Sequence, residues 1–121
     1  MPNELIEKLK QNNFLELRKN IFINQDTEFT WPDINSKAIV EKGRCLALKD
    51  QIAILVDGTV VPCCLDNNGD INLGNILNEE FEDILNKDKT INIKNNFKNG
   101  IITEKLCKTC GFLKKLEDLR K

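Results

Sequence analysis

Five cysteines stand in a 121-residue chain that contains no histidine, and four of them are spaced for one metal centre. Cys45 is followed by twelve residues and Gly58, then by four residues and Cys63; much later comes the knuckle Cys107-Lys108-Thr109-Cys110. Thiolate sulfur is soft and binds iron and zinc tightly, and a single zinc ion or a single cubane iron–sulfur cluster takes four such ligands. A Cys-x-x-Cys knuckle serves either metal, so alone it does not choose between them. Cys63 and Cys64 are adjacent, and neighbouring residues of an extended chain point to opposite faces, so one of the two is spare. Two disulfides are the rival use of four cysteines, but nothing in the sequence marks an oxidising compartment. A dithiol redox pair at Cys107 and Cys110 lacks the βαβ surroundings such a pair needs.

Composition sets the frame for that chemistry. With 40% apolar and 31% charged residues and a formal net charge of −1, the chain reads as one folded domain. At this length roughly two-thirds of the unfolded surface leaves water on folding, which supports a modest core that a metal would reinforce. No stretch approaches the roughly twenty apolar residues of a membrane span, and no basic start precedes an apolar run, so the expected location is cytoplasmic, where thiols stay reduced. Eighteen basic residues nearly balance nineteen acidic ones, so no excess positive field points to nucleic acid or membrane.

The elements that must position the cysteines follow from local chemistry. Leu5, Ile6 and Leu9 share one face of a leader helix that Asn3 is placed to cap. Phe14, Leu15 and Leu17 read as a second short helical turn, Ile21-Phe22-Ile23 as extended chain, and Pro32 keeps its neighbourhood non-helical. Trp31, the only tryptophan, is expected to anchor this linker on the domain. Gln51 to Val56, the Asp57-Gly58 pair and Thr59-Val60-Val61 read as a β-hairpin with a two-residue type I′ turn, which delivers Cys63 near the end of its second strand. Cys45 sits just ahead of the first strand, so the pairing brings both thiols to one end of the ribbon. Leu65 to Asp70 is turn chemistry; Asn78 is placed to cap a helix whose buried face is Phe81, Ile84 and Leu85. A helix over Asp88 to Lys98, anchored by Ile91 and Phe97, ends at Asn99-Gly100, and a last amphipathic helix carries Phe112, Leu113, Leu116 and Leu119. The resulting fold class is α+β: a small β-hairpin followed by helices, with a helical N-terminal leader and a four-cysteine metal site.

Taken together, Cys45, the run Asp57-Gly58-Thr59-Val60-Val61-Pro62-Cys63-Cys64-Leu65-Asp66, Leu73-Gly74-Asn75-Ile76, the helix from Glu80 to Leu85 and Cys107-x-x-Cys110 resemble the SPASM domain. That module carries an auxiliary cluster at the C-terminus of many radical S-adenosylmethionine enzymes. The resemblance covers residues 43 to 112, and Trp31-Pro32-Asp33 resembles the linker of one branch of that superfamily. It implies that Cys45 and Cys63 form one ligand pair and Cys107 and Cys110 the other, all to one 4Fe-4S cluster, with Cys64 unassigned. Further cysteines for a second cluster are absent, as in the shortened single-cluster form called a twitch domain.

The Cys-x-x-x-Cys-x-x-Cys motif of the catalytic cluster is also absent, so the chain by itself is not expected to cleave S-adenosylmethionine. The implied partners are a radical S-adenosylmethionine catalytic domain, upstream in the same polypeptide or separate, and the peptide or small-molecule substrate of that enzyme. Residues 1–42 then read as a leader or linker and 43–121 as the cluster-binding domain. Four protein thiolates leave no vacant iron, which favours electron transfer or structural support over substrate ligation. Lys42, Arg44, Lys105 and Lys108 adjoin the ligands and are candidates to offset cluster charge, though solvated cations are the default. Asp57 and Asp66 read as turn residues, with Asp66 the one candidate to position a partner. A structural zinc domain with four cysteine ligands, organising a binding surface, is the alternative.

Overall fold

In the computed structural model, which describes residues 2–120, the first helix, α1 (Asn3–Gln11), buries Leu9 and half-buries Leu5 and Ile6. Asn3 does not cap it. Pro2 takes the capping position, its ring holding φ at −57°, and Asn3 is already the first helical residue. The second helical turn expected from Phe14, Leu15 and Leu17 is instead a strand, β1 (Phe14–Arg18), paired antiparallel with β2 (Ile21–Asn24). The deciding feature is the Lys19-Asn20 turn: Asn20 adopts φ +67°, a conformation asparagine tolerates, and its N–H donates to the Glu16 carboxylate at 3.1 Å. Cross-strand pairing of Leu15 with Ile23 then outweighs an ambiguous local pattern.

From Gln25 the chain runs as an irregular strap along the C-terminal part of the domain. Thr30 O accepts from Gly111 N at 2.9 Å, Asp33 N donates to Thr109 Oγ1 at 3.0 Å, and the N–H groups of Ile39 and Val40 both donate to Lys108 O. Trp31 is not buried: it is 50% exposed and stacks on Phe29, and Phe29 is the ring that meets Phe112, at 5.2 Å.

The hairpin forms where expected, as β3 (Ala53–Ile54) and β4 (Thr59–Val61), with Ala53 opposite Val61 and Ile54 opposite Val60. Its loop has three residues rather than two. Leu55 N donates to Thr59 O and Gly58 N to Leu55 O, and of the loop residues only Gly58 has positive φ, at +91°. A type I′ turn needs two such residues, whereas a type I turn closed by a left-handed glycine needs one, and Asp57 is spared that strain. Asp57 instead accepts from Thr59 N at 3.0 Å, which holds its carboxyl below the usual range.

β5 (Gly74–Asn75) adds to the open side of β4 and interlocks with this loop. The Asn75 side chain donates to Asp57 O at 3.0 Å and accepts from Leu77 N at 2.8 Å, and a Cβ on Gly58 would lie 2.5 Å from its Oδ1. Gly74 has φ +149° beneath Glu79, Ile84 and Lys87, so a side chain there would be strained and crowded. The glycines and asparagine of Asp-Gly and Leu-Gly-Asn thus meet as one packed junction, although sixteen positions separate Gly58 from Gly74.

The Leu65 to Asp70 turn is built on a buried carboxylate. Asp66, 1% exposed, accepts from Asp70 N and Ile71 N, both at 2.8 Å, so both of its oxygens are committed within the protein rather than to a partner. Charge-assisted hydrogen bonds contribute roughly 1.5–3 kcal/mol each. Asp66→Ala is therefore expected to destabilise the fold by about 3 kcal/mol, and Asp66→Asn, which keeps one acceptor oxygen, by about half that. Thermal denaturation checks this; a loss below about 1 kcal/mol for the alanine variant contradicts the assigned role.

Two helices follow. In α2 (Phe81–Leu85) the capping position is Glu80, not Asn78, and only Ile84 is fully buried, with Leu85 half-buried and Phe81 exposed at its edge. α3 (Asp88–Lys98) has the expected limits, closed by Asn99 and by Gly100 at φ +77°. Its anchors are Thr90, Ile93 and Phe97, whereas Ile91 is 40% exposed. Ile93 and Phe97 are one turn apart and face the core formed with Val40, Val60, Leu73, Ile84 and Leu106. No helix among the described residues is long and apolar enough to cross a membrane.

Candidate metal centre

Each of the four predicted cysteines reaches the core from a different kind of local structure. Cys45 precedes a tight turn in which Leu48 N donates to Gln51 O and Leu48 takes φ +65°, a conformation costly for leucine. The turn aims Ala47 N at Cys45 Sγ, 3.5 Å away. Cys63 follows β4 in the turn where Asp66 N donates to Cys63 O, so the buried Asp66 loop holds that cysteine's backbone. Cys107 lies on α4 (Lys105–Lys108), and Cys110 caps α5 (Gly111–Leu119), its Sγ accepting from Leu113 N at 3.4 Å. Between them Thr109 is buried, its hydroxyl donating to Leu106 O at 2.7 Å.

The four thiols line one cavity of about 370 Å³, walled by apolar groups including Pro62, Ile71, Phe97, Leu106, Phe112 and Leu116. Burial is the first cause that pushes all four thiols up, Cys63 to about 11 and Cys107 likewise upward. The cysteines also act on each other: Cys107 feels Cys45, Cys63 and Cys110, and Cys63 feels Cys45 and Cys110. Backbone N–H groups oppose the rise, from Ala47 at Cys45, Leu65 at Cys63 and Leu113 at Cys110. Such N–H groups stabilise thiolate sulfur and tune a cluster bound to it. Metal binding must displace the thiol protons.

A single zinc ion draws its sulfurs to about 2.3 Å, onto one point. The four thiols line a cavity that has room for more than one atom. Four soft donors spread around an apolar void fit a polynuclear iron–sulfur cluster.

Cys64 stands apart. It is exposed, its Sγ faces Gln51 Oε1 at 3.8 Å, and it does not line the cavity. Cys64→Ala is expected to leave iron and sulfide content unchanged, whereas Cys63→Ala loses most of it. Iron and sulfide analysis of both variants after anaerobic reconstitution decides, and the opposite pattern reassigns the ligand.

Three of the four charge-offsetting candidates make their contacts here through the backbone. Lys42 bridges Ile101, Arg44 N donates to Glu117, Lys108 O receives the strap, and Lys105 is exposed. Arg120 is the cation whose charge reaches Cys45, and it is tied to Glu117 and to Arg44 O. Its place ten residues past Cys110 gives no spacing signal. Of the four apolar residues expected on the last amphipathic helix, Leu113 is buried, whereas Leu119 is 75% exposed.

A small α+β fold that gathers four half-buried thiols around one cavity is an iron–sulfur cluster-binding domain. The family model of the SPASM iron–sulfur cluster-binding domain matches residues 45–111, more than half the chain, and the protein belongs to that family. The match opens on Cys45 and closes one residue beyond Cys110. No curated protein and no solved structure matches the chain.

Proposed function

We propose that the chain binds one 4Fe-4S cluster through Cys45, Cys63, Cys107 and Cys110 and serves as an auxiliary electron-transfer module working with a radical S-adenosylmethionine catalytic domain. The observation that carries this reading is the convergence of four thiols, from three separate stretches of chain, on a single apolar cavity. A cluster held there supplies one-electron transfer. The protein's part is to saturate its coordination with four sulfurs, leaving no site for substrate, and to keep water away with Pro62, Phe97, Leu106 and Leu116. The N–H groups of Ala47 and Leu113, aimed at the sulfurs, raise the potential by stabilising the reduced, more negative state.

Anaerobic reconstitution followed by iron, sulfide and zinc analysis with Mössbauer spectroscopy tests the assignment. About four irons and four sulfides per chain with a 4Fe-4S spectrum are expected. A colourless protein that retains one tightly bound zinc overturns the reading in favour of a structural zinc domain with four cysteine ligands.

A further inference from the structure

Beside Cys45 lies a second, open groove of about 500 Å³, and Cys45, Leu46, Ala47 and Phe97 line both it and the central cavity. A wall one residue thick therefore separates the candidate cluster from this surface. Arg44 and Lys49 stand on the loop side of the groove, and Lys94 and Lys98, one turn apart on α3, stand on the other. The groove is lined by no Asp or Glu, and none of these four cations takes part in an ion pair among the described residues, whereas six other cations of the chain do. Four unneutralised charges at one place contrast with a chain whose net charge is −1.

We propose that this groove is the docking surface for an acidic one-electron carrier protein, with electrons passing through Cys45. The inference rests on the cluster reading above. One electron leaves the reduced carrier, which is oxidised by one unit, and enters the oxidised cluster, which is reduced by one; no proton or bond changes hands. Three observations favour a protein over other anions. Leu46, 44% exposed within the ring of cations, supplies the apolar centre and charged rim of a transient protein interface. A small anion would need a buried polar group aimed at it, and the cations here are exposed. Nucleic acid would call for a strongly basic domain with open aromatic rings, whereas this sequence has a pI near 5.5 and the one ring in the groove, Phe97, is buried.

The test uses the reconstituted full chain and, as probe, an acidic plant-type 2Fe-2S ferredoxin. Calorimetry gives the affinity, and stopped-flow absorbance gives the rate of cluster reduction by the reduced probe. Lys94→Glu/Lys98→Glu is expected to weaken binding and slow second-order reduction by about tenfold or more at low salt, with the difference vanishing at high salt. Lys49→Glu, on the opposite wall and outside any helix, should act in the same direction. Unchanged affinity and rate in both variants, or tighter binding of a single-stranded RNA control than of the ferredoxin, overturns the proposal. Iron and sulfide content of the same samples separates the two levels: an iron-free wild type removes the cluster reading itself, while a fully loaded wild type indifferent to the charge reversals removes only the docking surface.

Discussion

Stripping the metal under anaerobic, reducing conditions is expected to lower the melting temperature by at least about 10 °C and to open the chain between residues 100 and 112 to protease. The cavity explains the size of the effect. Without the metal the apolar wall of that cavity, including Phe97, Leu106, Phe112 and Leu116, is left facing water, and nothing ties Cys45 and Cys63 to Cys107 and Cys110. Both losses fall on a domain whose whole stability is roughly 5–15 kcal/mol. The knuckle should yield first, because α4 is a single turn of four residues whose Leu106 borders the void. Limited proteolysis of matched metal-loaded and metal-free samples measures it. Cleavage there at the same rate in both samples would show that the thiols and the fold are not coupled.

Gly111→Ala should be nearly as damaging, at about 2–4 kcal/mol, although its backbone has no unusual conformation. The added Cβ would lie 2.9 Å from Thr30 Cα and closer still to Thr30 N and O, and backbone atoms cannot swing aside as a side-chain end can. The strap would be pushed off α5. With it would go the Gly111 N to Thr30 O bond, the Phe29–Phe112 contact and the Lys115–Asp26 ion pair. Gly43→Ala is the internal comparison, because the three atoms nearest its Cβ all belong to the Glu117 side chain, which can shift at the expense of its bonds to Arg44 N and Arg120. Its cost is expected to be smaller, about 1–2 kcal/mol. Denaturant titration of the two variants checks the difference; equal midpoints would mean that the strap is not held through Gly111.

Where residues interact with near neighbours, the chain can be read directly. Asp88 to Lys98 has helical apolar spacing and a glycine stop, and the β3–β4 hairpin announces itself through β-branched runs flanking Asp57-Gly58. Phe14, Leu15 and Leu17 mislead because three apolar residues in four satisfy either period; pairing with Ile21 to Asn24 chooses the strand. The turn type misleads because an Asp-Gly pair suits both two- and three-residue loops, and register is settled by the buried Val60 and Val61. Asp66 reads as an ordinary turn residue because burial is invisible in a polar tetrapeptide.

From the amino-acid order alone come the number and kind of the soft donors, the knuckle, the glycines and the family, since donor chemistry and turn conformation are properties of a residue and its immediate neighbours. Which cation acts on Cys45 and how the strap locks against Gly111 are decided only in three dimensions. Electrostatic fields and steric exclusion depend on distance through space, and folding brings together residues such as Cys45 and Arg120 that the sequence keeps far apart.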